Sequence, residues 1–134
     1  MNNFNFYNPT QIVFGKDRLN ELDRHIDPNA KVLILYGGGS VKKFGTLDKV
    51  RAALGSREIV EFAGIEPNPQ FTTLMKAVEI VRSENIDFLL AVGGGSVMDG
   101  TKFVTLAASY PGDAVDLIKA GFGGLKLESA RPIG

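Results

Sequence analysis

Phe88-Leu89-Leu90-Ala91-Val92-Gly93-Gly94-Gly95-Ser96-Val97-Met98-Asp99-Gly100-Thr101-Lys102 is the stretch that decides the fold. Its leading apolar run predicts a strand buried on both faces, as strands of a parallel sheet are. Three glycines follow. Ser96 and Asp99 then stand at the spacing of a capping box, ahead of an apolar helical pattern. Strand, glycine turn and helix N-terminus together make a phosphate cradle. Backbone N–H groups point out of the turn, the helix dipole favours an anion, and glycine lets a phosphate come close. The stretch is not the fingerprint G-x-G-x-x-G, because Met98 occupies the third glycine position.

An earlier stretch repeats the pattern: Val32-Leu33-Ile34-Leu35-Tyr36-Gly37-Gly38-Gly39-Ser40-Val41. A single such turn is equally a plain chain reversal. Two of them, each closing an apolar run, predict two anion sites at the carboxyl ends of two strands.

The composition narrows the rest. A chain of 134 residues fits one domain, residues 1–134. Lys and Arg number 15, as do Asp and Glu, so no charge excess points to nucleic acid or a membrane surface. Cysteine is absent, which excludes disulfides and thiolate chemistry. His25 is the sole histidine, so nitrogen and sulfur metal ligands are scarce. No apolar run reaches membrane-spanning length and the N-terminus lacks a signal-peptide pattern. A soluble cytoplasmic protein is the expectation.

Residues 4–14 are expected to form a strand or hairpin arm, from the aromatic alternation of Phe4 and Phe6 and the run Ile12-Val13-Phe14. Its apolar content invites pairing with a second subunit, hence a homodimer. A helix is predicted over 17–26, with Leu19, Leu22 and Ile26 on one face. Ser40 is expected to cap a short helix stopped by Gly45, and Thr46 to cap the next, stopped by Gly55. Lys42 and Lys43 then sit in a first turn, where positive charge is unfavourable unless an anion lies nearby. A strand is predicted over 58–62, with Glu58 and Glu61 as solvated residues. Gly64-Ile65-Glu66-Pro67-Asn68-Pro69 is read as a rigid loop, its prolines biasing Glu66 and Asn68 to extended geometry. A helix over 71–84 and another from Ser96 to the residues before Tyr110 complete the pattern, with one helical turn over 116–119. Gly121-Phe122-Gly123-Gly124 reads as a flexible loop. Arg131-Pro132-Ile133-Gly134 reads as the start of a further strand, an odd ending for a complete protein. The order β-α-β-α-β-α-β-α predicts an α/β fold with a doubly wound parallel sheet and ligands outside the strands' carboxyl ends.

With these residues in place, the chain resembles the N-terminal domain of the iron-containing alcohol dehydrogenases, in their NADPH-dependent butanol dehydrogenase and aldehyde reductase branch. Carrying the resemblance are Asn2-Asn3-Phe4-Asn5, Phe14-Gly15-Lys16, the stretch Tyr36 to Lys43, the Gly64 to Pro69 loop, and the stretch Leu89 to Lys102. It implies that Gly93, Gly94, Gly95 and Ser96 bind the cofactor pyrophosphate, with Asp99 at the edge of that site. It implies that Gly37, Gly38, Gly39 and Ser40 lie under the adenosine ribose and that Asn68 closes over the cofactor. NAD-using relatives carry Asp where this chain has Gly38. Glycine there, with Ser40 and Lys42 or Lys43 as donors, implies NADP(H).

The resemblance also implies a helical domain holding iron or another divalent metal on an aspartate and three histidines. That domain is not within these 134 residues. The chain is therefore expected to be a fragment of a longer enzyme interconverting short-chain aldehydes and alcohols, and to be inactive alone. Two alternatives stand beside this: a freestanding nucleotide-binding module without chemistry, and the N-terminal domain of a dehydroquinate synthase-like lyase. In the lyases a lysine usually takes the place of Ser96, which argues against them.

Overall fold

The computed structural model describes residues 3, 5, 7–120 and 133. At its centre is β1, Val32–Tyr36, every residue of which is buried. That full burial is why its sequence is a continuous apolar run rather than an alternation. It pairs in parallel with β2, Ile59–Phe62, and with β3, Phe88–Val92, giving the order β2-β1-β3. The registers run from Val32 opposite Ile59 and Phe88 to Tyr36 opposite Val92.

Helices cover both faces of the sheet. After β1 come α1, Ser40–Lys43, and α2, Thr46–Leu54; α3, Phe71–Ser83, joins β2 to β3; α4, Gly95–Ser109, and α5, Ala114–Ala120, follow. Leu33 and Leu35 of β1 pack with Leu74, Ala77 and Val78 of α3 and with Phe103 and Val104 of α4. Val32, Ile34 and Tyr36 face the other way, onto Leu47, Val50 and Leu54 of α2 and onto Ile26. The fold is therefore α/β and doubly wound, as expected. Successive chain crossings leave β1 toward opposite sides of the sheet. The β1/β3 pair is thus the switch point, where a crevice opens beyond the strand ends.

Several expectations need correction. Residues 7–14 form no strand. Tyr7, Ile12 and Phe14 are exposed, and the segment pairs with neither outer edge of the sheet, without which no strand forms. Among the described residues the sheet has three strands, not four. Arg18–His25 is a 3-10 helix rather than an α-helix, entered through Asp17 at φ 57°. Neither Ser40, Thr46 nor Ser96 is an N-cap. Gly39, Gly45 and Gly94 occupy those positions, and no side chain caps the helix there. Each helix starts at the Ser or Thr, or one residue earlier, because the preceding glycine adopts the turn geometry. Asn68 has φ 65°, not the extended value expected before proline, a conformation asparagine tolerates better than most residues. The predicted loop from Gly121 and strand at Arg131 lie outside the described residues, apart from Ile133, which packs against the α3/α4 side of the core. No helix among the described residues is long and apolar enough to cross a membrane.

Candidate nucleotide-binding site

The two glycine turns meet beyond the ends of β1 and β3. Between them lies a cleft of about 230 Å³. Gly37, Gly38 and Ser40 line one wall and Gly93, Gly94, Gly95 and Ser96 the other. Ile65, Glu66 and Pro67 of the loop after β2 form the third side. That loop is laced to the first turn by backbone bonds. The Gly64 N–H donates to the Gly37 carbonyl at 3.2 Å, and the Ile65 N–H to the Tyr36 carbonyl at 3.2 Å.

The glycines divide by what surrounds them. Gly93 has φ 152°, and a Cβ there would stand 2.9 Å from Cγ2 of Val97, so its identity is a demand of the fold. At Gly38, Gly39, Gly94 and Gly95 a Cβ would meet no atom within 4 Å. Open space at four glycines is what a close-approaching ligand needs and what packing does not explain. Gly100, by contrast, lets α4 approach α3, for a Cβ there would stand 3.0 Å from Leu74. Met98, at the place of the fingerprint's third glycine, is 48% exposed and so does not obstruct this packing.

In α4 the N–H groups of Val97 and Met98 both donate to the Gly94 carbonyl, at 3.1 Å each. The N–H groups of Gly95 and Ser96 precede these first intrahelical bonds and belong to the helix end where backbone donors have no intrahelical acceptor. With the dipole of a 15-residue helix behind them, they suit an anion.

Glu66 stands at the cleft as a fixed carboxylate. It accepts from the Thr73 hydroxyl at 2.6 Å and from the Gln70 N–H at 3.4 Å. The Thr73 bond leads the causes that hold its pKa below the ordinary value. Beyond the first turn, Arg51 of α2 grips Glu61 of β2, with Nε donating to Oε1 at 2.5 Å and Nη2 to Oε2 at 2.9 Å. Arg51 lowers the Glu61 pKa, assisted by the Tyr36 hydroxyl and opposed by burial. Lys42 stands 5.5 Å from the Tyr36 ring centroid.

The structure thus brings together Gly37, Gly38, Ser40 and Gly93 to Ser96 of the expected residues. Gly39, Lys42, Lys43, Asn68 and Asp99 are exposed and do not line the cleft. Lys43 lies over the Phe44 ring instead, 6.0 Å from its centroid. Sequence reasoning missed Glu66 as a cleft residue, although its loop had been singled out. It also read Glu61 as solvated, whereas the carboxylate is paired and only 28% exposed. Glu58, 78% exposed and 3.5 Å from Lys31, is the surface residue expected.

A wider groove of about 1010 Å³ lies between the 3-10 helix and α2, lined by residues such as Leu19, Leu22 and Ala52. It contains neither glycine turn nor the start of α4, so it lacks the cradle chemistry.

The NADPH-dependent aldehyde reductase YqhD of Escherichia coli is 53% identical over 134 residues, which is all of this chain and 35% of that protein. A probable NADH-dependent butanol dehydrogenase of Bacillus subtilis is 46% identical over 121 residues, 88% of this chain and 31% of the relative. Among solved structures, the substrate- and cofactor-free form of YqhD superposes with a TM-score of 0.91 at 52% identity, covering 99% of this chain and 35% of that one. The NADH-dependent butanol dehydrogenase A of Thermotoga maritima superposes with a TM-score of 0.86 at 43% identity, over 99% and 34%. The chain spans about a third of the length of these relatives. The sequence profile of the iron-containing alcohol dehydrogenases matches residues 9–133. The chain belongs to the iron-containing alcohol dehydrogenase family.

Proposed function

We propose that this chain is the nucleotide-binding domain of a longer NADPH-dependent enzyme that interconverts short-chain aldehydes and alcohols. The observation that carries the reading is the cleft at the β1/β3 switch point, walled by two glycine turns whose open glycines leave room for phosphate. In this reading the α4 N-terminus and the second turn take the pyrophosphate, and the first turn takes the adenosine ribose. The chain orients the dinucleotide; the bound nicotinamide supplies hydride.

The preference for NADP(H) is part of the proposal, since the relatives named above divide between NADPH and NADH. Open space at Gly38, the Ser40 hydroxyl and the cation of Lys42 support it. An NAD site places a carboxylate near the 2′-hydroxyl. Here the first turn itself carries none.

The described donor set does not fit a metal. Among the described residues no three His, Cys, Asp or Glu side chains form a candidate ligand group. We assign metal and substrate contacts in the longer enzyme to residues other than the described ones. The exposed arm residues Tyr7, Ile12 and Phe14 support a homodimer, which light scattering tests directly.

The deciding experiment is titration of the protein as its gene encodes it with NADPH and NADH, for the wild type and Gly38→Asp. A preference for NADPH of about 10- to 150-fold is expected, corresponding to about 1.5–3 kcal/mol. Gly38→Asp fills open space, so it is expected to fold and to lose that preference. Equal affinities in the wild type, or an unchanged ratio in the variant, overturn the NADP assignment. Failure of a folded wild type to bind either dinucleotide overturns the whole reading.

A further inference from the structure

In α/β dinucleotide folds, the acid that accepts from the ribose 2′-hydroxyl lies about 20 residues after the glycine turn, in the region of the next strand. Here that region is the end of β2, which carries Glu61 beside Ile34 of β1. Its carboxylate is not offered to the turn. Arg51 holds both oxygens at 2.5 and 2.9 Å, and the Tyr36 hydroxyl donates to Oε2 at 3.4 Å. Arg51 is itself steadied by Asp48 at 2.7 Å on the same helix. Tyr36 is the residue just before the glycines, and its ring carries the Lys42 ammonium at 5.5 Å. Lys42, Tyr36, Glu61 and Arg51 thus form one linked set that begins at the residue before the first turn. The acid is held by an arginine, and Lys42, from the turn's own helix α1, stands by the ring of the tyrosine that also donates to that acid.

We propose that Arg51 is a positioning residue for cofactor choice: by sequestering Glu61 it leaves the Lys42 charge to a 2′-phosphate at the first glycine turn. The inference rests on the dinucleotide reading above and assigns its specificity to a pair the glycine turn does not contain. Without Arg51, Glu61 keeps only the long bond from the Tyr36 hydroxyl and is a carboxylate close to Lys42. It would draw the ammonium to itself and repel a phosphate dianion, while its ability to accept from a ribose hydroxyl would favour NADH. The electrostatics need no movement of the backbone, because Arg51 stands on α2, anchored by the buried Leu47, Val50 and Leu54, and Glu61 on β2, which pairs with the fully buried β1.

The test is the ratio of dissociation constants for NADPH and NADH in the protein as its gene encodes it. The variants are Arg51→Met, Arg51→Met with Glu61→Gln, and Lys42→Met. Arg51→Met is expected to weaken NADPH by about tenfold or more, the scale of one surface charge interaction, with NADH unchanged or tighter. Adding Glu61→Gln is expected to restore NADPH. Lys42→Met, at an exposed position that carries no fold risk, is expected to weaken NADPH alone. Equal loss for both cofactors in Arg51→Met marks a clamp of α2 on β2 and overturns the proposal. So does an unchanged ratio, or a double variant that fails to recover, and if Arg51→Met does not fold, an unchanged ratio in Lys42→Met overturns it instead. A folded wild type that binds neither dinucleotide removes the dinucleotide reading and this inference with it. A wild type that binds both equally, with Arg51→Met also unchanged, overturns this inference while leaving dinucleotide binding intact.

Discussion

A Cβ built onto Gly37 would stand 2.9 Å from the carbonyl oxygen of Ile65. The first glycine turn and the loop after β2 are therefore fitted backbone to backbone, and the bond from Gly64 N–H to the Gly37 carbonyl closes that seam. Because Ile65 is only 3% exposed, its side chain is fixed in the α3/α4 core. The cleft wall thus inherits its position from the core rather than from the loop.

The glycines of the second turn are expected to separate fold from function. Gly93→Ala must accommodate both φ 152° and Val97 at 2.9 Å, so it is expected to cost about 1–3 kcal/mol in urea unfolding. Gly95→Ala enters open space at the first position of α4. Alanine is the better helix former by up to about 1 kcal/mol, so stability is expected to hold or rise. The added methyl stands where a phosphate would approach, so NADPH affinity is expected to fall by about tenfold, or about 1.4 kcal/mol. Unimpaired binding by Gly95→Ala would show that the phosphates lie elsewhere.

Arg57 is the strongest single fastening outside the cleft. Its side chain is 4% exposed and pairs with Asp23 at 2.7 Å. It also donates to the carbonyls of Asp27, Leu54, Asp23 and Ile26, at 2.9, 2.9, 3.1 and 2.6 Å. Removing it leaves buried acceptors unpaired, at about 1–3 kcal/mol each. Arg57→Met is expected to lose about 2–5 kcal/mol in urea unfolding. Arg57→Lys is expected to rescue little, since an ammonium cannot replace the planar fork.

How much of this was legible depends on the range of the interaction. The β1 run Val32 to Tyr36 announces itself because burial on both faces leaves no room for a polar residue. The faces of α2 and α3 follow from i, i+3, i+4 spacing, and Leu47, Val50, Leu54, Leu74, Ala77, Val78 and Val81 are all buried. Leu19, Leu22 and Ile26 keep the α-helical spacing i, i+3, i+7, yet Arg18–His25 is a 3-10 helix with Ile26 as its C-cap, so periodicity alone misleads there. The N-terminal strand failed because strands are made by partners, and no partner is written in residues 7–14. Ser96 and Asp99 have capping-box spacing, but Gly94 takes the cap, so the chemistry stays with the backbone donors. Glu61 and Arg51 meet only once β2 lies beside β1 with α2 across it, which no local pattern encodes.

The Arg51–Glu61 pair also sets an expected response to acid. Arg51 holds the folded Glu61 carboxyl below the usual value of about 4.3. A depressed folded pKa contributes stability that is present above the unfolded pKa. It is lost as pH falls through the folded one. Stability is therefore expected to decline below about pH 4.3. Glu61→Gln is expected to flatten that decline without altering the neutral-to-basic limb. Unfolding midpoints in urea between pH 3 and pH 7 measure it, and an identical slope in the variant would assign the acid response to other carboxylates, such as Glu66 and Glu21.

Glu66 gives the last prediction, because its role in the cleft differs in kind from that of Arg51. The carboxylate accepts from Thr73 at 2.6 Å and from the Gln70 N–H at 3.4 Å, tying the loop after β2 to the first turn of α3. It therefore fixes the position of Ile65 to Pro67 over the cleft, and a loosened loop weakens any dinucleotide alike. Glu66→Ala is expected to raise the dissociation constants of NADPH and NADH by the same factor, about three- to tenfold, or about 0.7–1.4 kcal/mol. Thr73→Val, which removes the shorter bond while keeping the shape, is expected to reproduce part of that loss. Isothermal titration with both cofactors separates the cases. A change in the NADPH/NADH ratio in Glu66→Ala would mean that the carboxylate acts on the 2′ position by charge, and the loop-fastening role would be wrong.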